Sequence, residues 1–319
     1  MTRKIVRSIA CFAMGMALLV GPATVARAGE AGKPTVPVFD LRGDITESPG
    51  DETLALFGPQ PSSLKDLVER MQKAADDANV KAVVIVSESA SVGFGQIEEL
   101  RQAMAKLRSA GKDVYVHADS LSTGQYALFC GATRLSLVPT GDLWLTGLYG
   151  VAPSVRGMLD KIGVQPDFLH CGDYKSASEI FMRDGPSPEA DAMQNWLLDS
   201  LYSTLTDEVA SGRGISADQV RSLIDSGPYT ADKAKKAGLI DAVEHRQDFT
   251  TMLQGKYGED VTFDRKFGER RQPQLDLSSP FAIFKIWGEM LGAGKKESDK
   301  DAIAIVYVDG AIELGEGEP

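Results

Sequence analysis

The stretch KAVVIVS, residues 81–87, decides the fold. Its four consecutive β-branched residues, 83–86, form an unbroken apolar run, which is typical of a strand covered on both faces. Strands and helices alternate on either side of it: strand 35–42, helix 64–78, helix 96–109, strand 113–117, helix 124–130 and strand 133–138. This repeated order indicates βαβ units, and therefore an α/β protein with a mostly parallel sheet.

Ligand sites in parallel sheets form at the carboxyl ends of the strands, so the loops 88–95 and 118–124 are the first candidate regions. Beyond them the pattern becomes helical. A long helix is expected to start at Pro188 with Ser187 as its cap. A further helix is expected over 216–225, and the stretch 229–242 completes the domain. The apolar residues predicted to form the buried face of the long helix are Met193, Trp196, Leu197, Leu201, Leu205 and Val209.

Composition indicates a globular, acidic chain, and the first residues indicate that it is exported. Hydrophobic residues make up 43% of the 319 residues, and the net charge is −11. Residues 1–28 combine three early basic residues, an apolar stretch and an Ala-Arg-Ala ending, which predicts a signal peptide. An uncleaved membrane anchor is the alternative. The signal carries no acidic residue, so its removal makes the chain more acidic still, which argues against nucleic-acid binding.

Cysteine and glycine patterns predict neither a metal nor a cofactor. Outside the signal only Cys130 and Cys171 remain, and they form either one disulfide bridge or two buried free thiols. No CxxC or Cys/His spacing indicates a zinc site. The glycine-bearing loop 91–95 lacks both the lysine of a P-loop and the spacing of a dinucleotide fingerprint.

A repeated pattern marks the end of the chain. Residues 37–47 and 304–314 both read as an apolar strand followed by Gly-x-Ile and acidic residues. The second occurrence follows a charged connector, so it is expected to be the first strand of a truncated second repeat. The predicted layout is signal 1–28, domain 34–257, connector 258–300 with an apolar helix near 280–291, and truncated repeat 301–319.

The stretch GDYKSASEIF, residues 172–181, is expected to end a strand, turn on Gly172 and present Lys175. From the residues alone, a solvated turn lysine is the simpler interpretation. The alternative is a general base, which requires the lysine pKa to fall from about 10.4 to about 7–8. Such a shift corresponds to about 4 kcal/mol and needs a mostly dry site. A neutral lysine there could activate a serine hydroxyl.

This stretch, the MRDGPSP that follows it and the later YTADKAKKAGLID resemble the lysine-bearing region of the signal peptide peptidase A (protease IV) family. The resemblance covers about residues 34–319. It implies a ClpP/crotonase-like fold and cleavage of residual signal peptides in the cell envelope. In the long form of the family, the first of two repeats supplies the lysine base and the second the serine. Lys175 falls on that lysine.

The resemblance also implies that this part of the protein lacks a working nucleophile. Thr123, in SLSTGQY at 120–126, stands where the serine of the second repeat would be, and Ser122 is its neighbour. Gly93 and Gly95 lie where an oxyanion loop would be. Neither feature is expected to work in a first repeat, so the base is expected here without its nucleophile. The resemblance further implies peptide substrates, membrane association, a periplasmic location and a homo-oligomer.

Three functions therefore compete. The leading one is the base-bearing half of a Ser–Lys signal peptide peptidase. The second is a non-catalytic crotonase-like domain that binds peptides or assembles with partners. Acyl-CoA chemistry is a third, which export disfavours because acyl-CoA is cytosolic. His117 ends a strand near the loop 118–124, so a Ser/His pair is a further alternative, but a packed histidine is the preferred interpretation of that residue.

Overall fold

The computed structural model describes residues 34–47 and 63–269, and every structural statement below refers to them. The predicted signal 1–28, the apolar helix near 280–291 and the truncated repeat at 301–319 lie outside the described residues. No helix within the described ranges is both long and apolar enough to cross a membrane.

Nine strands and nine helices are described within these ranges. In chain order they are β1 (Thr35–Asp44), α1 (Leu64–Asp76), β2 (Ala82–Ser91), α2 (Phe94–Ser109), β3 (Asp113–Ala118), β4 (Leu121–Ser122), α3 (Thr123–Phe129), β5 (Arg134–Leu137), β6 (Asp142–Trp144), α4 (Arg156–Lys161), α5 (Glu179–Met182), α6 (Pro188–Arg213), α7 (Ala217–Asp225), β7 (Tyr229–Thr230), α8 (Ala231–Lys236), β8 (Ala242–Val243), α9 (Arg246–Tyr257) and β9 (Thr262–Asp264).

The main sheet has six strands in the order β8-β5-β3-β2-β1-β9, and every pairing in it is parallel. A small second sheet has the order β4-β6-β7. The predicted α/β class with βαβ units and a mostly parallel sheet is therefore confirmed. β9 lies in the stretch predicted as a connector, yet Thr262 pairs with Thr35 of β1. The described sheet thus continues past residue 257.

The central strand β2 is covered on both faces, as its sequence predicts. Val83 and Ile85 point into the larger core, which also holds side chains of α1, α2 and α3. Val84 and Val86 point to the other face, where α9 covers them with Phe249. Since adjacent strand residues face opposite sides, a continuous β-branched run is needed to fill both layers.

The long helix α6 differs from its prediction. Ser187 caps it as expected, with its hydroxyl accepting from the Ala190 amide at 3.1 Å, and Gly214 ends it in a left-handed conformation. Leu205 and Val209 are buried, but Met193, Trp196 and Leu197 are exposed, with Trp196 73% exposed. Periodicity showed correctly which residues share a face, but it carries no information on whether anything covers that face.

The segment before α5 also differs from its prediction. Residues 163–171 form no strand, so the expected strand ending at Gly172 is absent from the described structure. The turn itself is present, with Gly172 at φ 95°, a conformation that favours glycine. Without a sheet partner, the chain between α4 and α5 is irregular and largely exposed.

Candidate active site

Lys175 lies on this turn, in the open. Its amide donates to the carbonyl oxygen of Gly172 at 3.2 Å, which closes the turn. The side chain is exposed, and its neighbour Tyr174 is 62% exposed. No ion pair joins Lys175 to another described residue. The described residues therefore present the lysine but do not supply the dry surroundings that a lysine base needs.

Exposed apolar side chains are concentrated around this lysine in the sequence. Apart from Phe94 and Trp144, every large apolar side chain described as exposed lies between residues 149 and 197. We call this set the apolar arm: Tyr149, Val151, Met158, Ile162, Val164, Phe168, Leu169, Tyr174, Phe181, Met182, Met193, Trp196 and Leu197. Within this set Phe168 and Phe181 stack at 5.4 Å. Exposed apolar side chains that lie together are typical of a region that binds another polypeptide or a ligand.

A charged contact joins α5 to the start of α6. The Glu179 carboxylate accepts from the Ser187 amide at 2.8 Å and from the Ser187 hydroxyl at 2.5 Å. Those two hydrogen bonds hold the pKa of Glu179 below its usual range. The carboxylate also lies at the N-terminus of α6, where the helix dipole favours negative charge. We call this pair the Glu179–Ser187 clasp.

The opposite side of α5 is held by the segment before α4. The Val155 amide donates to the Ile180 carbonyl at 2.8 Å, and the Ser154 hydroxyl donates to the Arg183 carbonyl. A cleft of about 210 Å³ lies beside these contacts. Its lining includes Ser154, Ser176, Glu179, Arg183 and Gln194, so it adjoins the turn that carries Lys175.

The hydroxyl groups predicted as relics of a nucleophile are occupied in the structure. Thr123 begins α3, and its hydroxyl donates to the Trp144 carbonyl at 2.7 Å and accepts from the Thr146 amide at 3.3 Å. Ser122 is the N-cap of the same helix, and its hydroxyl accepts from the Gln125 amide. Both groups hold the β4–α3 corner together, and the Thr123 hydroxyl is engaged both as a donor and as an acceptor.

The glycine loop is likewise part of a helix start. The Gly93 amide donates to the side-chain oxygen of Gln96 at 3.0 Å, and Gln96 in turn donates to the Ile45 carbonyl at 2.8 Å. An amide already engaged in this way cannot also bind an oxyanion. Nothing lies within 4 Å of a Cβ placed on Gly95, so that position is open.

His117 is a packed histidine. Its ring is fully buried, stacks on Phe249 at 4.9 Å and shares a 2.9 Å hydrogen bond with Ser136 through Nδ1. Burial, assisted by the nearby Arg246 charge, lowers the pKa of His117. A serine and a histidine do meet here, but both are shielded from solvent, so neither can contact a peptide.

The cysteines are both free, which excludes the disulfide alternative. Cys130 is buried, and burial raises the pKa of its thiol, while Cys171 is exposed rather than buried. No cluster of metal-ligating side chains occurs among the described residues.

The sequence prediction of the site missed Glu179. The only sequence signal was that Glu179 lies eight residues before Ser187, the cap of the helix that begins at Pro188. A spacing of eight residues does not predict a contact, because the intervening chain is irregular. The structure joins Glu179 to Ser187 by hydrogen bonds, and Lys175 lies four residues before Glu179 on the adjoining turn. The hydroxyl groups of Ser122 and Thr123 belong to a separate corner.

The chain is similar in sequence to known peptidases. The model of peptidase family S49 matches residues 106–272. The chain is 30% identical over 285 residues to the chloroplastic serine protease SPPA of Arabidopsis thaliana, covering 89% of this chain and 39% of that protein. It is 26% identical over 302 residues to Protease 4 of Salmonella typhi, covering 88% and 46%. The chain thus spans less than half the length of these two relatives.

Solved structures of similar fold include a mutant of the 1510-N membrane-bound stomatin-specific protease, at 14% identity and a TM-score of 0.41 over 73% of this chain and 93% of that one. The ClpP catalytic domain of Plasmodium falciparum matches at 10% identity and a TM-score of 0.36, over 66% and 86%. These belong to the ClpP/crotonase-like class that the family resemblance implied. At such scores they add nothing to the argument from sheet topology.

Proposed function

The chain belongs to peptidase family S49, the signal peptide peptidase A family, and on that premise we propose that it is the base-bearing part of a serine endopeptidase of the Ser–Lys type. Lys175 is the proposed general base. The proposed substrates are residual signal peptides in the cell envelope, at the periplasmic face of the membrane. We further propose that the working enzyme is a homo-oligomer.

The observation that carries this proposal is the setting of Lys175. The Lys175 side chain lies on a turn within the segment that carries the apolar arm, and it is exposed to solvent while the arm is bare. A covering polypeptide would bury apolar area and exclude water from the amine at the same time, and exclusion of water favours the neutral form that can accept a proton. The proposed cover is a second repeat, which we propose to begin within 301–319 and to bring the serine to the lysine.

The engaged hydroxyl groups of Ser122 and Thr123 support the same division of labour. An attacking hydroxyl must be free to give its proton to the base and its lone pair to the carbonyl carbon. The Thr123 hydroxyl already donates to one backbone group and accepts from another. The proposed sequence of steps is therefore that the neutral Lys175 amine takes the proton of a serine from the second repeat while this serine attacks the peptide carbonyl carbon. The C–N bond then breaks, the departing amine takes the proton back from Lys175, and water activated by the same amine hydrolyses the acyl-serine ester.

The same engaged hydroxyl groups also favour a second candidate. Because the Ser122 and Thr123 hydroxyl groups belong to the β4–α3 corner, the domain could be a non-catalytic crotonase-like scaffold that binds peptides or assembles with partners through the apolar arm. The two candidates differ in one respect: only the peptidase needs the amine of Lys175.

Hydrolysis of a signal-sequence peptide by the full-length protein, isolated from its own host, distinguishes them. Lys175→Ala is expected to reduce kcat by at least about 10³-fold, in line with the loss of a catalytic group. Lys161→Ala is the matched control, because Lys161 is another exposed lysine, at the end of α4, and it should leave kcat unchanged. Full activity in a correctly folded Lys175→Ala protein would exclude the peptidase proposal.

A further inference from the structure

The turn that carries Lys175 has few interactions of its own. Between Gly163 and Ser178 the backbone bonds are local ones, such as Lys175 amide to Gly172 and Glu179 amide to Ser176. None of the residues in this stretch is buried. Such a segment opens with little free-energy cost unless its ends are tied down. The position of the Lys175 amine therefore depends on what anchors α5, which begins four residues later.

Glu179 is the charged anchor of α5. It is the first residue of α5 and satisfies two groups of Ser187, the amide and the hydroxyl. Ser187 is buried and caps α6, so the clasp ties the lysine turn to the start of the longest helix. That helix is in turn fixed to the core through Leu205 and Val209. Hydrogen bonds to an ionised acceptor are stronger than neutral ones.

We propose that Glu179 is a positioning residue for Lys175: the Glu179–Ser187 clasp fixes the turn 172–178 on the N-terminus of α6 and so sets where the lysine amine meets its serine. This inference rests on the proposed peptidase function. We assign Glu179 itself no chemical step, since both of its carboxylate oxygens accept hydrogen bonds from Ser187 in the described structure.

The effect on catalysis follows from geometry. A displacement of about 1 Å of a catalytic group can cost about a hundredfold in rate without loss of substrate binding. Removing the Glu179 carboxylate releases the turn but leaves the Lys175 amine intact. The expected signature is therefore a fall in kcat with little change in KM.

Three variants of the full-length protein test this. Glu179→Ala is expected to lower kcat at least about tenfold, with KM within about twofold. Glu179→Gln is expected to keep kcat within about threefold of wild type, because its amide can still bond both the amide and the hydroxyl of Ser187. Ser216→Ala is the matched control: it removes the N-cap of α7, whose hydroxyl accepts from the Gln219 amide, at a comparable stability cost but remote in sequence from Lys175.

Hydrogen exchange supplies a readout that does not depend on activity. Amides within 172–186 are expected to exchange faster in Glu179→Ala than in wild type, and at the wild-type rate in Glu179→Gln and Ser216→Ala. If Lys175→Ala proves active, the peptidase proposal fails, and this comparison still shows whether the clasp holds the turn.

Two results would overturn the positioning role. One is faster exchange in Glu179→Ala with an unchanged kcat, which would make the clasp merely structural. The other is a fall in kcat with unchanged exchange, which would mean that Glu179 acts in some way other than by holding the turn.

Discussion

The replacement Gly212→Ala tests how α6 is fixed to the core. A Cβ at Gly212 would lie 2.8 Å from the Cys130 sulfur and 2.9 Å from the Cys130 carbonyl carbon and oxygen. Real Cβ atoms do not approach backbone that closely, so α6 or the end of α3 must shift.

The expected change in the free energy of unfolding is the balance of two opposing effects. Alanine is favoured over glycine inside a helix by about 1 kcal/mol. Overpacking of a tight contact costs about 1–3 kcal/mol, and the upper half of that range applies here because a backbone carbonyl cannot rotate away. The expected net loss is about 1–2 kcal/mol, which lowers Tm by roughly 2–8 °C for a domain of this size.

Gly255→Ala is the matched control. Gly255 is also inside a helix, α9, but nothing lies within 4 Å of its Cβ position. Only the higher helix propensity of alanine then acts at this position, so Tm should rise by roughly 1–4 °C. Thermal and urea unfolding of both variants measures the difference. Adding Cys130→Ala to Gly212→Ala should recover only part of the loss, because the carbonyl contact remains. If Gly212→Ala is as stable as Gly255→Ala, the described packing of α6 on Cys130 is wrong.

Three further predictions concern charge and the β4–α3 corner. Burial raises the pKa of Glu208 to about 7, so its contribution to stability is present below pH 4.5 and is lost as pH rises to 7. Urea unfolding should show about 2 kcal/mol lost over that range in wild type, after allowance for partial exposure, and no such loss in Glu208→Gln. An equal loss in both would contradict the assignment. The pKa of His117 is lowered in the folded protein, so the neutral ring contributes to stability above about pH 6.5, and this contribution falls as the solution becomes more acidic. His117→Phe should flatten this decline in the free energy of unfolding. An unchanged decline in the variant would exclude His117 as its source. Thr123→Val should cost about 1–3 kcal/mol, through the lost hydrogen bonds to Trp144 and Thr146, yet leave kcat unchanged; loss of activity in a folded variant would identify Thr123 as a nucleophile.

The sheet was readable from the sequence because its strands carry local information. The run Val83–Val86 fills two core layers and could be nothing but a central strand in an alternating pattern. The helices α2 and α7 likewise carry their apolar stripes on one face. In both cases the residues that define the element also pack within the described domain.

The exposure of the apolar arm could not be predicted from the sequence, because its apolar residues do not pack within the described domain. Trp196 and Leu197 look like core residues in a helical pattern, yet no described element covers them. The clasp was missed because Glu179 and Ser187 meet only after an irregular chain folds back. Lys175 itself was located through its motif rather than its surroundings, since the described surroundings are bare.

Mapping the site of covalent modification by a fluorophosphonate, which reacts with activated serine hydroxyl groups, tests the central claim most directly. The protein should be the full polypeptide isolated from its own host, digested and analysed by peptide mass. We expect a single adduct on a serine outside residues 34–269, and its loss in Lys175→Ala. An adduct on Ser122 or Thr123, or undiminished labelling without Lys175, would contradict the proposal that this domain supplies the base and another part of the enzyme supplies the nucleophile.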